Sequence, residues 1–254
     1  MLGKGAFSEV YRVTNEATGE LAVCKISSLP EFGKREAQLL EKIRHPLFPA
    51  YKGQMMIQNK HYLLMEYICG STLQQYVKKR GGLSQERAVE ILLELAKGLN
   101  YLHERNNPII FRDIKPENVM IQQDGRVRLV DVGCAYVTGS RDGSRAGTRG
   151  YAAPEQLKEG AEIGRESDVY ALGKLLGYML RGRKGISGGL LQLQKRATAE
   201  EPMYRIPDMR TLIFQLEIYR KKGKRWQWLW NGKNILRKKT ESDFYYKKNI
   251  HKET

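Results

Sequence analysis

The sequence has few cysteines, few prolines and no long apolar run. Its 254 residues include three cysteines and eight prolines. The cysteines are odd in number and form no CxxC pair, a pattern that suits a reducing compartment better than a disulfide framework. No stretch approaches the roughly 18 apolar residues of a membrane span, and the N-terminus has no apolar signal segment. We therefore expect a cytoplasmic protein, with association with a membrane surface left open by its basic C-terminal end.

Acidic residues are also scarce relative to basic ones. Asp and Glu together number 28 against 44 Lys and Arg, which gives a formal net charge of +16. Such a balance suits nucleic acid, an anionic membrane or an acidic partner. Much of the excess lies after Lys221, however, outside the motifs that carry chemistry. Charge alone therefore gives no reason to expect nucleic acid as a partner.

The first motif is a glycine-rich loop near the N-terminus. Gly3 and Gly5 allow the backbone to approach phosphates, because no Cβ stands in the way. A strand rather than a helix follows the loop, which disfavours a dinucleotide-binding fold. Lys25 ends the next apolar strand, and Glu36 lies on a helix predicted over 31–44. Taken singly, these residues are explained as well by a tight turn, an edge-strand lysine and a solvated glutamate.

A second group of polar residues lies in the middle of the chain. The run Phe111-Arg112-Asp113 through Asn118 stands between two β-like segments, a position where catalytic groups are commonly placed. Asp131 follows the next short strand. Two carboxylates and one amide at strand ends suit Mg²⁺, which prefers hard oxygen ligands.

Taken in order, these segments resemble the signature set of the eukaryotic-like (Hanks-type) serine/threonine protein kinases. Any one match is weak, but eight matches in the right order over residues 2–205 are a specific signal. The segment 147–156 is similar to bacterial members of the family. The matching positions are Gly3, Gly5, Val10, Lys25, Glu36, Phe111-Arg112-Asp113, Asn118, Asp131-Val132-Gly133, Ala153-Pro154-Glu155, Asp168 to Gly173, and Arg205.

The resemblance implies an α+β, two-lobed protein-kinase-like fold. We expect a small N-terminal antiparallel sheet with one helix over residues 1–68, its first strand truncated because the chain starts inside it. A larger, mainly helical C-lobe is expected over 69–220. A basic tail that contains tryptophan would occupy 221–254.

The resemblance also implies ATP and Mg²⁺ as cofactors and a protein as substrate. Asp113 would orient the acceptor hydroxyl and take its proton, while Lys115 would neutralise charge on the transferred phosphoryl group. Asn118 and Asp131 are the implied metal ligands. The implied catalytic residues are Asp113, Lys115, Lys25, Glu36 and Asn118.

The implied ATP-binding residues surround the adenine and the phosphates. Backbone N–H groups of the glycine loop would cover the phosphates, and backbone groups at the hinge would bond the adenine edge, with Met65 as gatekeeper. The full set is Leu2, Gly3, Lys4, Gly5, Ala6, Phe7, Ser8, Val10, Val23, Lys25, Met65, Glu66, Ile68, Met120 and Asp131.

Substrate class and regulation rest on smaller matches. Lys115 and Thr148 resemble the serine/threonine class rather than the tyrosine class. Arg112 resembles the arginine of kinases that are switched by a phosphate on the activation segment, here residues 131–155. The candidate sites for that phosphate are Ser144 first, then Thr138 and Ser140, and ordinary loop hydroxyls are an equal explanation.

Two departures from the family pattern keep a pseudokinase open as the alternative. Phe111 replaces the usual histidine of the catalytic loop, and Val132 replaces the usual phenylalanine of the metal-binding triplet. Both are packing positions in the family, so we expect them to stack with Leu40 and Tyr51 in an apolar spine at modest cost.

Three tryptophans flanked by lysine and arginine mark the tail: Trp226, Trp228 and Trp230. This pattern is consistent with a solvated tail, with an anchor on an anionic membrane surface, or with binding to an acidic partner.

Overall fold

The computed structural model describes residues 1–139 and 146–222. Its helices are α1 Pro30–Lys42, α2 Leu73–Arg80, α3 Gln85–His103, α4 Pro154–Leu157, α5 Glu166–Leu180, α6 Gly188–Ala197 and α7 Met209–Lys222. Its strands are β1 Gly3–Lys4, β2 Ser8–Thr14, β3 Leu21–Ser27, β4 Tyr51–Ile57, β5 Lys60–Glu66, β6 Gly70–Thr72, β7 Ile109–Ile110, β8 Val119–Gln122, β9 Val127–Leu129 and β10 Tyr136–Val137.

The N-terminal sheet is antiparallel, with the strand order β1-β2-β3-β5-β4. Gln58 and Asn59 join β4 to β5 in a tight turn, and both have positive φ (45° and 62°), which suits the twist of a two-residue hairpin. Leu39 and Leu40 are buried on α1, the helix that contacts β3, β4 and β5. Lys25 therefore lies in the middle strand of the sheet, opposite the helix that carries Glu36.

The rest of the described chain is mainly helical. The Ser84 hydroxyl caps α3 by accepting a hydrogen bond from the Arg87 amide at 3.2 Å. Most apolar side chains of α3 are buried, and α5 and α7 pack against this helix. Two small sheets, β6-β8-β9 and β7-β10, hold the loops that carry the polar motifs.

These features confirm the predicted α+β architecture of a small antiparallel sheet with one helix, followed by a mainly helical lobe. The helix predicted over 31–44 is α1. The lobe boundary at residue 68 stays a prediction, and it falls between the end of β5 and the start of β6. Among residues 1–139 and 146–222, no helix combines the length and the apolar composition of a membrane-spanning segment. Ser140, Ser144 and the tail beyond Lys222 lie outside the described residues.

One buried ion pair ties α4 to the segment before α7. Arg205 contacts both carboxylate oxygens of Glu155, at 2.6 and 2.7 Å, and the side chains of the pair are 0% and 7% exposed. Ser167 donates a further hydrogen bond to Glu155 at 2.7 Å. Burial alone would raise the pKa of Glu155, but the hydrogen bonds from Arg205 and Ser167 outweigh it and lower the pKa.

We expect Arg205→Ala to lower the free energy of unfolding by about 3–5 kcal/mol, because it leaves the Glu155 carboxylate buried without its cation. Urea unfolding of the two chains measures this difference. Lys4→Ala is the matched control: it breaks the exposed pair with Glu9 and should leave the unfolding midpoint unchanged. An equal loss of unfolding free energy in both variants would show that the buried pair of Arg205 and Glu155 has no special role in stability.

Candidate active site

A buried lysine joins α1 to the segment that follows β9. Lys25 Nζ lies 2.8 Å from Glu36 Oε1 and 2.7 Å from Asp131 Oδ1. Gly133 is adjacent, and a Cβ there would lie 3.1 to 3.3 Å from a charged atom of each of the three residues. The absence of a side chain at Gly133 therefore gives the three charged groups room to meet.

The charges of these three groups depend on one another. Burial would lower the pKa of Lys25, but attraction to Glu36 and Asp131 outweighs burial and raises it. Burial raises the pKa of Glu36 to about 7, against the attraction of Lys25. Desolvation opposes ionisation of Asp131 as well, yet Lys25 lowers its pKa. The lysine is thus held as a cation, and Asp131, whose side chain is 45% exposed, as an anion.

A second network surrounds Asp113. Its Oδ1 accepts a hydrogen bond from the Thr148 hydroxyl at 2.7 Å, and its Oδ2 lies 2.8 Å from Lys115 Nζ. Lys115 also donates to Thr148 Oγ1 at 2.9 Å. Asn118 Nδ2 donates to the carbonyl oxygen and to Oδ2 of Asp113, at 2.9 and 3.1 Å. The amide oxygen of Asn118 is therefore the atom of that side chain left to bind a cation.

Asp168 of α5 holds the loop that carries Asp113. This carboxylate is fully buried and accepts hydrogen bonds from the backbone N–H of Phe111 and of Arg112, at 2.8 and 2.9 Å. His103 Nε2 lies 2.9 Å from the same carboxylate. Arg112 has φ of 69°, a left-handed conformation that costs a non-glycine residue on the order of 1–2 kcal/mol. The two bonds to Asp168 offset that cost.

The two residues that depart from the family pattern, Phe111 and Val132, pack in the core. Phe111 and Val132 are 0% and 2% exposed and belong to the same buried cluster as Leu40. Tyr51 lies partly buried against this cluster. The ring of Phe48 stacks on Phe111 with centroids 6.2 Å apart and 30° between planes, a contact that the sequence did not indicate. Aromatic and aliphatic packing thus fills the positions usually held by histidine and phenylalanine.

The predicted adenine site has apolar side chains from both lobes. Val10, Val23 and Met120 are half-buried, and Met65 is buried. Among the described residues, none forms a hydrogen bond with the backbone N–H of Ile68. Apolar faces beside an available hinge donor fit a planar heterocycle such as adenine.

In the glycine loop the backbone closes a turn, since the Gly5 N–H donates to Ser8 O at 2.7 Å. The side chains of Lys4 and Phe7 are exposed, and Lys4 pairs with Glu9 at 2.9 Å. Leu2 is also exposed, and its predicted place above the adenine stays a prediction.

The candidate metal ligands are one carboxylate and one amide. Across residues 1–139 and 146–222, no cluster of three or more His, Cys, Asp and Glu side chains is arranged to hold a metal ion. Mg²⁺ commonly takes only one or two protein carboxylates and completes its shell with water and phosphate oxygens. The pair Asp131 and Asn118 fits that chemistry.

Sequence reasoning missed an ion pair on the side chain of the hinge residue Glu66. Arg128 on β9 donates to Glu66 Oε1 and Oε2 at 3.0 and 2.6 Å, and also to the Phe48 carbonyl at 3.0 Å. The Ala50 amide donates to Glu66 as well. The feature of the sequence that could have indicated this ion pair is the position of Arg128 in a short strand that is otherwise apolar.

We expect Asp168→Asn to loosen the catalytic loop. The asparagine side chain has one acceptor oxygen, so a buried N–H is left facing an NH₂ group, at a cost of about 1–3 kcal/mol. Amide exchange at Phe111 and Arg112 should become faster, and urea unfolding should shift to lower concentration.

Asp124→Asn is the control for this substitution, since Asp124 lies in the exposed turn between β8 and β9. It should change neither the exchange rates nor the unfolding midpoint. Unchanged exchange at Phe111 and Arg112 in Asp168→Asn would show that Asp168 does not hold the loop.

Comparison with known proteins agrees with this geometry. The protein kinase domain family matches residues 1–229. A serine/threonine-protein kinase of Arabidopsis thaliana is 30% identical over 211 residues, 79% of this chain and 45% of that protein. The Aurora kinase of Eremothecium gossypii is 32% identical over 192 residues, 72% of this chain and 52% of its own length. A Streptomyces coelicolor protein described as a serine/threonine-protein kinase is 32% identical over 206 residues, 74% of this chain and 30% of its own length.

The chain therefore spans about half the length, or less, of these curated relatives. Because plant, fungal and bacterial kinases all match, the similarity to bacterial members stays a prediction. The extent of the family match, together with the placement of Lys25, Glu36, Asp113 and Asp131, identifies the chain as a member of the protein kinase domain family.

Proposed function

We propose that the chain is an active protein kinase that transfers the γ-phosphate of Mg-ATP to serine or threonine hydroxyls of a protein substrate. The observation that carries this proposal is the hydrogen-bond network of Asp113, Lys115 and Thr148. It puts a carboxylate, an ammonium and a hydroxyl within 2.9 Å of one another at the edge of the cleft. Phosphoryl transfer needs positioning and charge neutralisation more than covalent chemistry, and this group supplies both.

Each residue has a role that follows from its contacts. Asp113 accepts the proton of the acceptor hydroxyl, and Lys115 neutralises the charge that develops on the transferred group. Lys25, kept cationic by Glu36, binds the α- and β-phosphates. Mg²⁺ bound by Asp131 and Asn118 would supply charge neutralisation for the phosphates.

The choice of serine and threonine is supported by Lys115 and Thr148, as the family resemblance implies. Thr148 joins the activation segment to the catalytic loop, because its hydroxyl accepts from Lys115 and donates to Asp113.

Regulation by phosphate on the activation segment is part of the same proposal. Arg112 is buried, donates to the Cys134 carbonyl at 2.6 Å and lies against the ring of Tyr136. It thus contacts two residues of the segment that a phosphate would order. Of the three candidate sites, Thr138 lies within the described residues, where its hydroxyl donates to the Pro108 carbonyl at 3.3 Å.

A pseudokinase is the second candidate function, favoured by Phe111 and Val132. Their burial in the core, however, removes the packing defect that would support it. The groups on which transfer depends are all present, and the two polar networks around Lys25 and Asp113 are formed.

Transfer of radiolabelled phosphate from Mg-ATP to a generic basic protein tests the proposal. We expect transfer by the native chain and a loss of about 10²- to 10⁴-fold in Asp113→Ala, the range for removing a positioned proton acceptor. Asp124→Ala removes an exposed carboxylate and should leave the rate unchanged. No transfer by the native chain, with ATP still raising its melting temperature, would favour the pseudokinase.

The affinity for ATP should depend on pH through Glu36. With a pKa near 7, this carboxylate is ionised above that pH and gains a proton below it, so the ion pair that orients Lys25 is lost as pH falls. We therefore expect ATP binding, measured by calorimetry, to weaken on the acid side of pH 7.

Glu36→Gln separates this effect from the titration of ATP itself, which is common to both chains. The variant should bind ATP more weakly than the native chain above pH 7. Its affinity for ATP should also fall less as the pH is lowered below 7. Parallel profiles for the native chain and the variant would show that Glu36 is not the titrating group.

A further inference from the structure

A cavity of about 890 Å³ lies beside the hinge, separate from the catalytic groups. We call it the hinge-side cavity; it is lined by residues 43–51, Glu66, Glu94, Lys97 and residues 126–128. Its floor is largely apolar, from the prolines, Leu47 and Phe48 that follow α1. None of Lys25, Asp113 and Asp131 lines it, so it needs an explanation other than nucleotide binding.

The hinge-side cavity has more cations than carboxylates along its rim. Arg44, Lys97 and Arg126 are exposed there, and two of them have carboxylate partners outside the cavity lining: Lys97 pairs with Glu217 and Arg126 with Asp124. Glu66 is already bound by Arg128, and Glu94 accepts a hydrogen bond from the Val127 amide at 3.1 Å. A suitable occupant is therefore apolar, carries no positive charge of its own, and can accept cations on its surface. Tryptophan rings meet all three conditions, because cations bind to their faces.

The chain itself carries such a segment within reach. Lys97 of the cavity rim lies 3.4 Å from Glu217 of α7. The helix continues for five residues, roughly 7.5 Å, to Lys222. From there Trp226 is at most about 14 Å of extended chain away, and Trp230 at most about 29 Å. Residues 226–230 read Trp-Gln-Trp-Leu-Trp and have no charged side chain.

We propose that the segment 226–230 docks in the hinge-side cavity of its own chain. The basic residues that precede it, Lys224 and Arg225, would stay outside the cationic rim. A docked segment contacts both lobes. On one side of the cavity lie residues 43–51 and Glu66 of the N-terminal lobe. On the other lie Glu94, Lys97 and residues 126–128 of the C-terminal lobe. Docking requires no phosphoryl transfer, so it can fail or hold independently of the proposed function.

Tryptophan fluorescence provides a selective test. The chain has three tryptophans, and all lie in the segment 226–230. For the full chain in dilute solution we expect emission at shorter wavelength than for the same chain unfolded in guanidinium, with protection against quenching by acrylamide. The double variant Lys97→Gln and Arg126→Gln removes the exposed cations on the C-lobe side of the rim and should lose both the shift and the protection.

The matched control is the double variant Lys78→Gln and Lys79→Gln, which removes two exposed cations of α2 that do not line the cavity. It should keep the emission of the native chain. Circular dichroism of each variant shows whether the fold is retained.

Emission of the native chain identical to that of the unfolded chain would overturn the proposal. A blue shift that survives loss of the rim cations would place the tryptophans elsewhere and overturn it as well. A shift that grows with protein concentration would assign the cavity to a second copy. A shift that appears only with vesicles of anionic lipid would make the segment a membrane anchor. Either of the last two results replaces the intramolecular contact.

Discussion

The geometry of the catalytic loop depends on the buried carboxylate of Asp168. It accepts hydrogen bonds from two backbone N–H groups and lies 2.9 Å from His103 Nε2, so a carboxylate in the core is held by fixed partners. A buried carboxylate that lacks some of its hydrogen-bond partners destabilises the fold. When all of its partners are present, it holds the surrounding backbone rigidly in place. The strained backbone of Arg112 and the position of Asp113 both follow from this arrangement, because Asp168 fixes the two backbone N–H groups that precede Asp113.

Charge is organised as two separate networks that meet at the cleft. In the first network, Lys25 contacts Glu36 and Asp131. In the second, Asp113 contacts Lys115, Thr148 and Asn118. Each network joins segments that are far apart in sequence, so both can form only when the whole fold is in place. This dependence on the complete fold explains why the resemblance over residues 2–205 was more informative than any single motif.

The polar core of the site was predictable from the sequence because the chemistry restricts the residue types. A lysine on a strand, a carboxylate on the next helix and an Asp–Asn pair in a loop have few alternatives when they occur in that order. The contacts of Phe48 on Phe111 and of Arg128 on Glu66 were not predictable. They depend on how two loops approach each other, and no periodicity or spacing in the sequence records that approach.

The ion pair between Glu66 and Arg128 lies next to the joint about which two lobes of this kind rotate. Arg128 is buried and contacts both carboxylate oxygens of Glu66, whose side chain is 34% exposed, so opening of the joint has to stretch a charge-assisted contact made at two points. The connection between the lobes therefore resists a change of angle at this point through a side-chain contact, in addition to the covalent chain that joins them.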